Sequence, residues 1–228
     1  SSTSRGLGDV YKRQVYDNAM FLIALDYLLE MAPDSPQAPR WRSLREGIAK
    51  NVRTHLWDEK RQKFIPHIYP EKSPIPEGFD ELAIHYHGGT AIAIEAGLLS
   101  KDEIRTVNAQ MLENVRLSGM PSIGLTLYPV YPDGFFHGGM SKAYLYQNGG
   151  DWTWFGGRMI QQLVVNGMVE EAYAEIHPMI ERVIQNDGFY EWYGKGGVPS
   201  GSGNFKGSAG VLSKAIELLR DWAEKNKS

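Results

Sequence analysis

Segments of helical periodicity in this chain come in two alternating kinds, and that alternation limits the available folds more than any single motif does. From Tyr16 to Met31 the sequence YDNAMFLIALDYLLEM is apolar nearly all round, the pattern of a helix buried on both sides. Arg40 to Trp57 differs: Trp41, Leu44, Ile48, Val52 and Leu56 form a single stripe with Arg and Lys between them, so one face is wet. The pair recurs as Gly88 to Leu99 followed by Lys101 to Leu117, which Ser100 should cap. It recurs again as Asp151 to Asn166 followed by Met168 to Asn186, where Pro178 should kink or split the helix. A last helix is expected from Ser208 to Glu224.

The connections alternate too. Turns from an all-round apolar helix to a striped one are short, whereas Asp58 to His87, Ser118 to Gly150 and Asp187 to Gly207 are long. The long loops all arrive at the N-terminal ends of the apolar helices, so they should gather on one face, and loops of that length usually carry function. Inner helices ringed by outer ones, with a unit of roughly 60–70 residues, describe an all-α toroid. The expected fold is therefore an α/α toroid with short β segments in its long loops. An α-solenoid is the competing architecture and predicts shorter, more uniform loops.

Composition removes several function classes. The chain has 228 residues and no Cys, which excludes a disulfide framework, a thiolate metal site and a Cys nucleophile. A net charge of -3 gives no reason to expect nucleic acid or an anionic membrane as partner. No apolar run approaches the roughly 20 residues of a membrane helix. This fits a soluble protein of a bacterial cytoplasm or periplasm, without fixing the compartment. Residues 1–14 fit nothing downstream. One reverse translation of Asp9 to Gln14 reads GATGTGTATAAGAGACAG, which looks like a transposon end used to attach sequencing adaptors. The segment is read as a disordered adaptor artefact, which leaves 15–228 as the native part.

The loops hold the aromatic and acidic residues. The first contains Asp80, Glu81, His85 and His87. The spacing of the two histidines sets their rings apart, a poor arrangement for a metal, so no metal is expected and sugar-hydroxyl contact is the functional alternative. The second leads to Tyr146-Gln147-Asn148-Gly149-Gly150-Asp151-Trp152-Thr153-Trp154. Asp151 is a natural helix N-cap, but Tyr146, Gln147, Asn148, Asp151, Trp152 and Trp154 together offer the flat faces and hydrogen-bonding groups that a pyranose needs. The third begins Phe189-Tyr190-Glu191-Trp192-Tyr193, whose alternation suggests a short strand. Rings on either side of Glu191 are unusual company for an exposed structural carboxylate. A Gly-rich stretch with Phe205 follows, too irregular for a phosphate loop.

In order and spacing these motifs resemble six-hairpin, (α/α)6-barrel glycosidases. The nearest groups are the amylo-α-1,6-glucosidase (debranching-type) domains and the processing α-glucosidase-like or mannosylglycerate-hydrolase-like enzymes. Besides the Tyr146 to Trp154 segment, Asp17-Asn18-Ala19 with its apolar helix, then Leu56-Trp57-Asp58-Glu59, matches one of their helix hairpins. The resemblance spans Val15 to Lys225. It implies an incomplete barrel, the last seven helices of twelve, and a saccharide substrate with no cofactor. By resemblance Glu191 is the general base of an acid/base pair, and the general acid lies upstream of Asp17, on an N-terminal half that would be the chain's partner. Asp151, Asp80 and Glu81 are the fallback acids within this chain, and Tyr193 and Phe205 join the substrate contacts. Where relatives carry Asp/Asn-Pro after the second aromatic, this chain has Gly194-Lys195, and near Phe205 it has Lys206-Gly207 instead of a second aromatic. Those departures bear on the sugar more than on the fold. The resemblance implies an inverting hydrolase of an α-glucosidic or similar bond. Two other readings stay open at this level: an α/α-barrel epimerase working through His85 or His87, and a non-catalytic saccharide-binding or solenoid module.

Overall fold

A computed structural model describes residues 13–70 and 72–227. Among the described residues seven α-helices carry the fold: α1 (Val15–Met31), α2 (Ala38–Leu56), α3 (His87–Glu95), α4 (Lys101–Ser118), α5 (Thr153–Val165), α6 (Val169–Gln185) and α7 (Lys206–Lys225). Two antiparallel strand pairs sit in the loops, β1 (Trp57–Asp58) with β2 (Lys63–Phe64) and β3 (Trp192–Tyr193) with β4 (Pro199–Ser200). Most of the segment read as adaptor-derived lies outside the described residues. Its last two members are described: Arg13 exchanges both backbone hydrogen bonds with Ile68, each at 2.9 Å.

The apolar helices form an inner row in which α1 packs on α3, α3 on α5, and α5 on α7. The striped helices back them, α2 against α1, α4 against α3 and α6 against α5. One core runs through the row, from Val15, Ala19 and Leu22 of α1 through Ile92 of α3 and Met159, Ile160 and Leu163 of α5 to Leu212 of α7. In α3 every residue from His87 to Ile94 is buried, as an inner helix requires. Ser100 caps α4 through a reciprocal box with Glu103: its hydroxyl accepts the Glu103 N–H while the Glu103 carboxylate accepts its own.

Three expectations need correction. Of the kink or split expected at Pro178, the split does not occur: α6 runs without interruption from Val169 to Gln185. Asp151 does not cap α5: Trp152 holds the cap position without a side-chain bond, and the Asp151 carboxylate is used elsewhere. The first helix, expected to be buried on both sides, is not, and the last is covered on one face alone. α1 exposes Phe21, Tyr27 and Leu28, and α7 buries one stripe (Ser208, Val211, Leu212, Ala215) while Ile216 and Trp222 face out. Both stand at the ends of the row, where only one inner neighbour covers them.

The three long loops meet at one end of the inner row and are stitched in sequence. His85 and Tyr128 exchange backbone bonds at 2.7 and 3.1 Å, joining the first loop to the second. Asp151 and Tyr193 do the same at 2.9 and 2.8 Å, joining the second to the third. The second joint needs close approach at Gly124, where a Cβ would collide with Asp151 Oδ1 and lie 2.6 Å from the Trp152 carbonyl oxygen. Gly124→Ala should therefore cost about 1–3 kcal/mol by urea denaturation. Gly47→Ala, in open space on α2, should be neutral or stabilising by up to about 1 kcal/mol in the same assay.

Candidate functional site

Where the loops meet, they enclose a cavity of about 690 Å³ over the N-terminal ends of the inner helices. Its walls come from both ends of the row: Asp17 from the first turn of α1, Tyr86 from the approach to α3, Trp152 and Trp154 from the start of α5, and Glu191 and Phe205 from the third loop. Tyr146 and Gln147 complete that side. Among the described residues lining the cavity the carboxylates are Asp17 and Glu191, and none is Lys or Arg.

Glu191 is half-buried on the wall, one residue before β3. Its backbone N–H donates to the Ser202 carbonyl at 2.9 Å. Gly201 packs so closely beneath it that a Cβ there would collide with Glu191 Oε2, and its φ of +72° is one that glycine adopts freely. Nearby, burial first and the Glu191 charge second push the Tyr146 hydroxyl up, keeping it a hydrogen-bond donor. The Trp152 ring meets Tyr146 edge-on with centroids 4.8 Å apart, and its Nε1 donates to the Tyr146 carbonyl at 3.1 Å. Trp154 lies under the Arg158 guanidinium, 4.6 Å from its ring, and Arg158 is held in turn by Glu95 at 2.7 Å.

Other expected site residues lie behind the wall. The Asp151 carboxylate is fully buried, accepts the Ser122 hydroxyl at 2.7 and 2.9 Å, and pairs with Arg182 at 2.8 Å. Arg182 also donates to Thr153 Oγ1 at 2.6 Å and stacks 4.0 Å from the Tyr193 ring centroid. Asp151 is thus committed to a buried ion pair and does not line the cavity, and Tyr193 is its fully buried neighbour rather than a wall residue. Asn148 is buried as well, accepting the Tyr131 N–H at 2.9 Å and donating to the Tyr131 and Lys142 carbonyls. Asp80 lies outside the cavity, and Glu81 sits behind its wall, bonded to His67.

The two histidines, expected apart, lie side by side with ring centroids 5.9 Å apart, across the non-helical Tyr86 (φ -90°, ψ 81°) that leads into α3. Both face away from the cavity, into which Tyr86 points instead. His87 is buried with Nε2 3.0 Å from Asn114 Nδ2, and His85 borders an open groove along α4. Buried Lys63 donates to the Leu82 and Ile84 carbonyls at 2.6 and 2.5 Å and lies close to both rings. Burial chiefly, then the Lys63 charge, lowers His85 to about 4. Burial, then the His85 and Lys63 charges, lowers His87 to about 3.

Reading the sequence missed Asp17 and His67 as wall residues. Asp17 carried a signal, since it occupies the first turn of an inner helix, the end at which the other wall residues lie. Nothing in the pattern around His67 separates it from an ordinary loop histidine.

The architecture is mainly helical, seven helices with small hairpins, and it matches about half of an α/α-barrel glycosidase. The solved structures it resembles include the GH63 mannosylglycerate hydrolase of Thermus thermophilus in complex with Tris, with a TM-score of 0.63 and 16% identity over 92% of this chain and 46% of that one. The same enzyme in complex with glucose gives a TM-score of 0.61 and 17% identity over 92% and 48%. An uncharacterized conserved protein of the same organism gives 0.62 and 17% over 93% and 47%. The chain therefore spans about half the length of these structures. No protein-family model and no curated protein sequence matches it. No described helix is long and apolar enough to cross a membrane.

The groups behind the wall can be tested through stability. Arg182→Met strands the Asp151 charge and should cost about 3–5 kcal/mol in urea unfolding, part of which Arg182→Met/Asp151→Asn recovers. His85 and His87 are held below the value of about 6.5 they have when unfolded. As pH falls below about 6.5 the unfolded chain takes up protons that the folded one refuses. Stability should thus be full above that pH and decline as pH falls toward 4, read as a falling urea midpoint, with a shallower decline in His87→Asn.

Proposed function

We propose that this chain forms one side of the active site of a glycoside hydrolase, with Glu191 as the general base. The supporting observation is that Glu191 stands on the wall of a cavity rich in aromatic rings, with Asp17 as the other carboxylate on the described wall, while Asp151 is committed to an ion pair. In this reading Trp152, Trp154, Phe205 and Tyr146 supply ring faces and edges for a sugar, and Gln147 supplies an amide. The Glu191 carboxylate takes a proton from a water. The water oxygen attacks the anomeric carbon as the bond to the leaving oxygen breaks, and an acid across the cavity protonates that oxygen. Carboxyl groups about 6.5–9.5 Å apart suit this inverting chemistry, since a water must fit between them.

The substrate class is an α-glucosidic or similar small-saccharide bond. The general acid belongs to an N-terminal half packed against the exposed faces of α1 and α7, in keeping with the half-length match. The histidine-based epimerase reading loses support, because His85 and His87 face away from the cavity. The upstream reading frame of the same DNA supplies the whole protein for the test. In that protein Glu191→Gln should lower kcat on an α-glucoside by about 10²–10⁴ with the thermal midpoint unchanged. Full turnover by the variant refutes the base assignment, and release of an isomer instead of a monosaccharide refutes the hydrolase reading.

A further inference from the structure

One polar cluster at the cavity takes no part in activating water. His67 follows β2 and the buried Pro66, and its ring lies on the cavity wall. Its Nδ1 is 2.7 Å from Glu81 Oε1. That same oxygen accepts the Tyr69 hydroxyl at 3.0 Å and the Tyr131 hydroxyl at 2.5 Å. Three donors thus converge on one carboxylate oxygen, in a place where the His67 and Glu81 side chains are only 9% and 10% exposed.

This convergence fixes where the protons are. Burial alone would push the Glu81 carboxyl up, but the bonds from His67 and Tyr131, the His67 charge and the Tyr69 bond outweigh it and hold it below the usual range. Burial and the Glu81 charge push both phenols up, so Tyr69 and Tyr131 keep their protons and spend them on Glu81. An ionised carboxylate only accepts, so the proton of the shared bond sits on His67 Nδ1. With Nδ1 committed to Glu81, Nε2 on the opposite edge of the ring is the nitrogen left to meet a ligand in the cavity. The carboxylates on the described wall, Asp17 and Glu191, accept hydrogen bonds. A hydroxyl group, which both donates and accepts, matches all three.

We infer that His67, oriented by Glu81, is a specificity-determining residue whose Nε2 hydrogen-bonds one hydroxyl group of an uncharged, polyhydroxylated ligand. The inference rests on the saccharide reading above and adds one contact to it. Glucose and its monodeoxy derivatives, titrated into the full 228-residue chain by ligand-observed NMR and calorimetry, test it. His67→Phe keeps a ring without its nitrogens and should bind glucose about five- to tenfold more weakly. One monodeoxy sugar should bind the variant and the wild type equally, because it lacks the hydroxyl that His67 reads. His67→Asn, which restores a hydrogen-bonding group, should recover part of the loss, and Glu81→Gln should reproduce the hydroxyl-selective pattern more weakly. Thermal unfolding identifies any variant that fails to fold. Equal weakening across the whole sugar series, or none, overturns the His67 role while leaving the saccharide reading intact. Failure of the wild-type chain to bind any of the sugars overturns both.

Discussion

The buried pair of Arg182 and Asp151 is the constraint on which the cavity depends. It joins the last turn of an outer helix to the approach to an inner one, and Arg182 reaches Ser122, Thr153 and the Tyr193 ring as well. Removing two charges from water is costly, and a pair of this kind adds little net stability over a well-packed apolar replacement. What it provides is register. With Asp151 fixed, its backbone ladder to Tyr193 is fixed, and Glu191 two residues earlier takes its place on the wall. Gly201, just after β4, then closes from the other side and limits how far the Glu191 side chain can swing.

The helices were legible in the sequence because burial imposes periodicity. An inner helix must be apolar on every side that meets a neighbour, and α3 shows it residue by residue. The same logic accounts for α7: at the end of a row a helix needs one covered stripe, so its charged face is expected. The Ser100 box was readable because capping is local. Pro178 leaves α6 whole, since a helix that packs along its length tolerates one absent N–H.

The site was legible in type and less so in orientation. Trp152, Trp154, Gln147, Tyr146, Phe205 and Glu191 line the cavity, because the loops that carry them gather at one end of the inner row. Asp151, Asn148, Tyr193 and His87 have the same chemistry but point into the structure, and His85 faces the groove along α4 instead of the cavity. Which way a loop side chain faces is decided by partners distant in sequence, such as Arg182 for Asp151, Tyr131 for Asn148 and Lys63 beside the histidines. Arg182 itself looked like one more charge on a striped helix. Only the tertiary contact distinguishes a buried guanidinium from a solvated one.

The cavity walls are drawn from both ends of the inner row, with Asp17 at its first helix and Glu191 and Phe205 beside its last. A small molecule that touches both ends acts as a staple across the whole arrangement. Its binding free energy resists not one loop's opening but the separation of α1 from the third loop, and with it the parting of every helix between them. Occupancy of the site and cohesion of the helical row are therefore the same quantity seen from two sides.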